Sequence, residues 1–285
     1  MKTILVPTDF KSHSEKALKV AMKIAAKASA KIILVHSFVL YVTDIYATSD
    51  MAVDIYEEEK EQSKEILRNY CEKIRLEKDV LGNPLQAEYI VHQNFAPSEI
   101  LLTALNTKAD LIVMGAEKHS NLSIILGSIV NEVMHKSDCP VLLIHDETVE
   151  SDFSTIYLGI EDLQKELPSV QQVIPFAKVF DATISIIHID SQILTMPDLR
   201  NMNIERAQAE TLLNTLKQEY DFSDMYLRYS VADEIIQTMD AILLEESPQI
   251  LALRYQKRKW TDSIFHKSLI RYLMIHSSTP LLIIH

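Results

Sequence analysis

The chain is one unit written twice, and that repetition restricts its fold more than any other feature of its 285 residues. "TILVPTDF" at 3–10 returns as "TIYLGIED" at 155–162. "AKIILVHSF" at 30–38 returns as "ATISIIHID" at 182–190, with His36 against His188. "APSEILLTAL" at 96–105 returns as "VADEIIQTMD" at 231–240, and "HKSDCPVLLIH", ending at His145, as "IHSSTPLLIIH", ending at His285. Four matches in one order, each 135–152 residues further on, indicate a tandem duplication. The length fits two domains of ordinary size, each able to bury a core of its own.

Inside the first copy, short β-branched runs alternate with amphipathic stretches. Ile4–Val6, Ile32–His36, Ala87–Val91, Leu111–Met114 and Val141–Ile144 read as strands, and their nearly unbroken apolarity suits strands covered on both faces. Between the first two, Ala17, Val20, Ala21, Ile24 and Ala28 share one helical face, and Ser12 with Glu15 has the spacing of a capping box. Further helices are predicted over 52–78, from Pro97 to Leu105 and from Ser128 to Lys136, with Pro97 in a first turn where its missing N–H matters least. The second copy repeats the plan, with strands near 155–159, 183–189, 225–230, 249–254 and 281–284. Right-handed βαβ crossovers then give an α/β protein of two tandem doubly wound, five-stranded parallel-sheet domains. The polar stretch "DETVESD" at 146–152 is the natural linker, giving domains 1–146 and 153–285. A fifth strand left at a sheet edge seeks a partner, so the two halves are expected to pack as an intrachain pseudo-dimer.

Bulk properties narrow the function. A net charge of −12 argues against broad nucleic-acid binding, although 254–271 is locally basic. No apolar run reaches the ~20 residues that cross a bilayer, and "MKTILVPTDF" is too short a core for a signal peptide. Cys71 and Cys139 form no CxxC pair. The expectation is a cytoplasmic protein with buried thiols and no membrane partner.

In an open parallel sheet a ligand sits beyond the carboxyl strand ends where the strand order reverses, here between strands one and four. Pro7, Thr8 and Asp9 follow strand one. Met114 and Gly115 end strand four, and Gly127-Ser128 opens the next helix. Such a chain has only four glycines, so two within this loop require a reason. A carboxylate there can accept from an adenine amino group or a ribose hydroxyl. Gly115 admits close backbone approach, and a helix N-terminus at Gly127-Ser128 offers N–H groups to an anion. Each residue also has a plain alternative as a turn, cap or helix start.

"ILVPTDFKSHSEKALKVAMKIA", "IILVHSF", "ADLIVMG", the Gly-Ser before a helix and "CPVLLIH" together resemble the universal stress protein family, closely over 1–145 and more weakly over 153–285. The resemblance implies the adenine-nucleotide alpha hydrolase-like form of the doubly wound sheet, frequent pairing as a homodimer, and a role in stress response. Nucleotide-binding members hold ATP with the Asp after strand one and a loop written G-x2-G-x9-G-[ST]. On this chain that implies Asp9 at the adenine, Gly115 as the first loop glycine, Gly127 with Ser128 as the last pair, and Pro7, Thr8 and Met114 lining the pocket.

Departures from the pattern are equally specific. Lys118 stands where the middle glycine belongs, and Gly127 follows Gly115 by twelve residues, one short of the family spacing. In the second copy Glu161 or Asp162 replaces Asp9, Arg254 or Tyr255 replaces Gly115, and Lys267 with Ser268 replaces Gly127-Ser128. A backbone cradle is not expected there. Its "RYQKRKW" reads either as a patch of Arg254, Lys257, Arg258, Lys259, Lys267 and Arg271 for an anion or protein partner, or as a solvated loop whose Trp260 fills the vacated pocket. No P-loop, G-x-G-x-x-G, nucleophile elbow or metal-ligand spacing occurs, so no efficient catalysis is expected. Two functions compete: a stress-response protein with at most one degenerate ATP or AMP site, in residues 1–145, and an interaction scaffold with both pockets closed. A slow phosphohydrolase is a third, dependent on Asp9 and Gly127.

Overall fold

The computed structural model describes residues 1–39, 49–116, 128–148, 152–190, 196–232, 234–255, 269, 270, 272, 273 and 276–285. They divide into two compact units, one within Met1–Ala116 and Gly127–Asp146, the other within Glu147–His285.

In unit 1 the order is β1 (Thr3–Pro7), α1 (Ser12–Ala28), β2 (Lys31–Ser37), α2 (Ser49–Leu76), β3 (Ala87–His92), α3 (Ala96–Thr107), β4 (Leu111–Ala116), α4 (Ser128–Lys136) and β5 (Val141–His145). The strands lie in the order β3-β2-β1-β4-β5, every pair parallel. Ile4, Leu5 and Val6 of β1 are fully buried, as are Val141 to Ile144 of β5. That is the burial expected of strands sandwiched between helices. β3 lies beyond β2 and is only half-buried along most of its length. α1 packs on β1, β4 and β5, and α3 lies on β1 and β2 and against α4.

Unit 2 begins with β6 (Thr155–Ile160), and the single first helix of unit 1 is there broken into three pieces. α5 (Leu163–Glu166) is followed by a 3₁₀ turn (Leu167–Gln172) and α6 (Ile174–Phe180). Pro168 and Pro175 each sit in the first turn of a new piece, because a proline ring cannot continue the hydrogen-bond ladder of the piece before it. β7 (Thr183–Asp190), α7 (Met196–Glu219), β8 (Met225–Val231), α8 (Ile235–Glu246), β9 (Ile250–Arg254) and β10 (Leu281–Ile284) follow. The order β10-β9-β6-β7-β8, again all parallel, is the strand plan of unit 1 over again. Both repeats therefore fold as doubly wound sheets.

The capping box expected at Ser12 and Glu15 does not form. The helix begins one residue earlier than that pattern requires, with Lys11 as N-cap and no side-chain cap. Ser12 faces Asp146 instead, Oγ to Oδ2 3.5 Å, and Glu15 accepts from the Tyr70 hydroxyl at 2.8 Å. The turn before the helix does the positioning. The Phe10 N–H donates to Thr8 Oγ1 at 3.1 Å, the Lys11 N–H to Asp9 Oδ1 at 3.2 Å, and Ser14 Oγ to the Lys11 carbonyl at 2.9 Å.

Candidate functional site

β1 and β4 are neighbours in register, Ile4 opposite Leu111 and Leu5 opposite Ile112. The chain therefore leaves the sheet at Thr8-Asp9 and at Gly115-Ala116 side by side. Pro7, Thr8 and Met114 are buried beneath this rim, and the Thr8 N–H extends the ladder to the Val35 carbonyl at 2.9 Å. Ser128 is exposed at the start of α4. Gly127, Lys118 and His119 lie outside the described residues. Of the sequence-derived site, the fold brings Pro7, Thr8, Asp9, Met114 and Gly115 together.

Asp9 is the exposed member, its side chain 44% accessible. Partial burial pushes its carboxyl upward, but the Lys11 N–H, the nearby Ser14 hydroxyl and the charges of His13 and Lys11 outweigh this and hold it below the ordinary value. His13 Nε2 lies 3.2 Å from Oδ2 and Lys11 Nζ 3.7 Å from it. A carboxylate has about four lone-pair positions, so these contacts orient Asp9 and leave it capacity for a further donor. The i,i+4 spacing of Asp9 and His13 on the α1 entry was the signal that could have drawn attention to His13 in the sequence.

Gly115 has a packing duty of its own. A Cβ built there would lie 2.4 Å from the His13 carbonyl oxygen, 2.5 Å from its carbon and 2.7 Å from His13 Cδ2. The space left by the missing side chain is filled by the first turn of α1, which can then pack closely on β4. The glycine is required by this contact whether or not anything binds.

A second device fixes the end of β1. His36, buried at the end of β2, donates Nδ1–H to the Thr8 carbonyl at 2.8 Å, which also fixes its tautomer. Phe10, with φ 63, turns the chain sharply and lays its ring on His36 at a centroid distance of 4.3 Å. Tyr70 approaches Phe10 edge-on, and burial together with its hydrogen bond to Glu15 raises its phenol to about 12. The same device recurs in unit 2, where His188 Nδ1 donates to the Ile160 carbonyl at 3.3 Å and the ring packs 5.0 Å from Tyr229. The matching histidines are architectural in both copies.

At the unit 2 rim the register of β6 with β9, Ile156 opposite Ile250, sets Arg254, not Tyr255, in the place of Gly115. Arg254 is half-buried, and its Nε has no hydrogen-bond acceptor among the described residues. Tyr255 is buried, and burial pushes its phenol up. Glu161 takes the place of Asp9, and its N–H donates to the fully buried Glu166 at 2.7 Å. Asp162 instead caps α5, accepting from the Gln164 and Lys165 N–H groups. Lys257, Arg258, Lys259, Trp260, Lys267, Ser268 and Arg271 lie outside the described residues.

The sequence profile of the universal stress protein family matches residues 1–145. The chain belongs to the universal stress protein family. A universal stress protein of Methanocaldococcus jannaschii is 30% identical over 154 residues, covering 50% of this chain and 94% of the relative. Another, from Thermus aquaticus, is 31% identical over 144 residues, 50% of this chain and 98% of its own. A crystal structure of a universal stress protein from Archaeoglobus fulgidus follows the fold along the whole length, with TM-score 0.70 and 20% identity over 99% of this chain and 97% of that one. Two tandem units of the family fold therefore make up the chain. Among the described residues no helix is long and apolar enough to cross a membrane.

Proposed function

We propose that this universal stress protein is regulatory or protective rather than an efficient catalyst. In this reading it binds one adenine nucleotide, ATP or AMP, at the β1–β4 rim of unit 1. The observation that carries it is Asp9: an ionised, half-exposed carboxylate, held by the Lys11 N–H and His13 at the strand-order reversal, with acceptor capacity to spare. Pro7, Thr8 and Met114 form the floor beneath the base, and Gly127-Ser128 with the α4 N-terminus receives the phosphates. Unit 2 offers no equivalent, because Arg254 replaces Gly115 and Ile160 replaces Thr8.

One observation favours the scaffold reading. His13 already occupies the space beside Gly115 and touches Asp9, as it would in a pocket shut by its own helix. Thermal denaturation with ATP separates the two. Saturation at about 100 times Kd stabilises the native state by about 2.7 kcal/mol, and the rise in melting temperature disappears in Asp9→Ala. No rise at millimolar ATP leaves the scaffold reading.

A further inference from the structure

The outer face of α3 in unit 1 is apolar where a surface helix ordinarily meets water with polar groups. Phe95, which leads into the helix, is 52% exposed, Leu102 49% and Leu105 67%. Ser98 is exposed with them. The one charged residue of the helix, Glu99, is turned inward: it is buried, lies 3.0 Å from His92 Nδ1 and accepts from Asn94 Nδ2 at 2.7 Å. The outer face of α3 therefore carries no charge. The second copy is polar at the same places, with Ser230, Gln237 and Asp240 standing where the first has Phe95, Leu102 and Leu105.

The spacing of this stripe determines what fits it. Phe95, Ser98, Leu102 and Leu105 follow one another at intervals of three, four and three, the a and d positions of a heptad. Such a seam is covered by a second helix lying nearly along it. At 1.5 Å per residue it is about 15 Å long. The seam is also symmetric about residue 100. In an antiparallel helix pair an a position meets a d position, which sets Phe95 against the partner's Leu105 and Ser98 against the partner's Leu102. Large side chains then meet at both ends, and the small Ser98 leaves a hole for a leucine knob. A face that complements itself under two-fold rotation is what a contact between identical chains requires.

Area and charge set the strength of that contact. The three apolar side chains expose roughly 300 Å² per copy, so a pair of seams stays below the ~1,200 Å² that separates transient from stable interfaces. Each chain carries a net charge of −12, so two copies repel at long range, and least where the approaching faces are themselves uncharged. The contact is therefore weak, reversible and strengthened by salt.

We propose that α3 of unit 1 is an interface between two copies of this chain, packed antiparallel across a two-fold axis beside residue 100. The interface stands apart from the nucleotide reading of the unit 1 rim, and either can fail alone.

Sedimentation equilibrium of the full chain from about 5 to about 500 µM tests it. The mass is expected to rise from that of one chain toward that of two, and to rise further at each concentration when salt is added. Leu102→Glu and Leu105→Glu each bury a charge in the seam and should weaken association by at least about tenfold. Both positions are exposed in the single chain, so the urea midpoints of these variants should match the parent. Leu244→Glu, at a 76% exposed leucine of α8, should leave association unchanged. The register is read by air oxidation: Phe95→Cys mixed with Leu105→Cys should give a covalent dimer, and neither variant alone should. The native thiols do not compete, because burial raises both Cys71 and Cys139. The proposal is overturned if the mass stays at one chain throughout, if association survives both glutamates or weakens with salt, or if either cysteine variant cross-links by itself.

Discussion

Replacing Gly115 by alanine tests the packing of the rim directly. The new methyl would sit 2.4 and 2.5 Å from the His13 carbonyl oxygen and carbon, well inside van der Waals contact. These are backbone atoms in the first turn of α1, which is anchored through Asp9, Thr8 and Ser14. They cannot swing aside as a side-chain tip can, so the helix start must move away from β4. Overpacking of this kind costs about 1–3 kcal/mol, and the backbone obstruction puts it at the upper end. About 3 kcal/mol lowers the melting midpoint of a unit this size by roughly 10 °C. His13→Ala removes the 2.7 Å contact with Cδ2 but not the carbonyl, so the double variant Gly115→Ala/His13→Ala should recover little of the loss. Urea denaturation of the single and double variants, followed by circular dichroism, measures both. A Gly115→Ala midpoint within about 0.5 kcal/mol of the parent, or full rescue by His13→Ala, would refute the close approach of α1 to β4. A glycine substitution here confounds folding with binding, and Asp9→Ala is the cleaner probe of a ligand.

Three further outcomes follow from the same geometry. His36→Leu strips the Thr8 carbonyl of its buried donor and should lower stability by about 1–3 kcal/mol, read as a shift in the urea midpoint. The folded Asp9 carboxyl lies below its ordinary 3.8, so its stabilisation is complete above that pH and is lost as pH falls through the lower folded value. Accordingly the stability gap between the parent and Asp9→Asn should be present at neutral pH and should close in acid; a gap independent of pH contradicts the assignment. Burial raises both thiols, Cys71 and Cys139, so neither should react rapidly with a thiol reagent at neutral pH until the chain unfolds.

The strands were legible because their cause is local. Runs such as Ile32–Val35 and Val141–Ile144 are β-branched or leucine throughout, and the repeat showed that each had a counterpart. The neighbouring positions of Asp9 and Gly115 also followed, since a strand order that reverses between strands one and four sets the loops after those two strands side by side. What escaped depends on approach in three dimensions. Nothing in the spacing of His13 and Gly115 along the chain reveals that one fills the gap left by the other. Ser12 and Glu15 had the letters of a capping box, but the Thr8–Asp9 turn decided where the helix starts. The break in the first helix of unit 2 was written in Pro168 and Pro175, which a search for repeated motifs passes over. The apolar seam of α3 was likewise present as Phe95, Leu102 and Leu105, but only the fold shows that they stay exposed.

The central claim is that one rim of this duplicated chain binds an adenine nucleotide and the other does not. Equilibrium dialysis of the full chain against labelled ATP measures this as a stoichiometry. The account predicts one ATP per chain, abolished by Asp9→Ala and retained by Arg254→Ala. A stoichiometry of two, or of none, or one that survives Asp9→Ala, would contradict it.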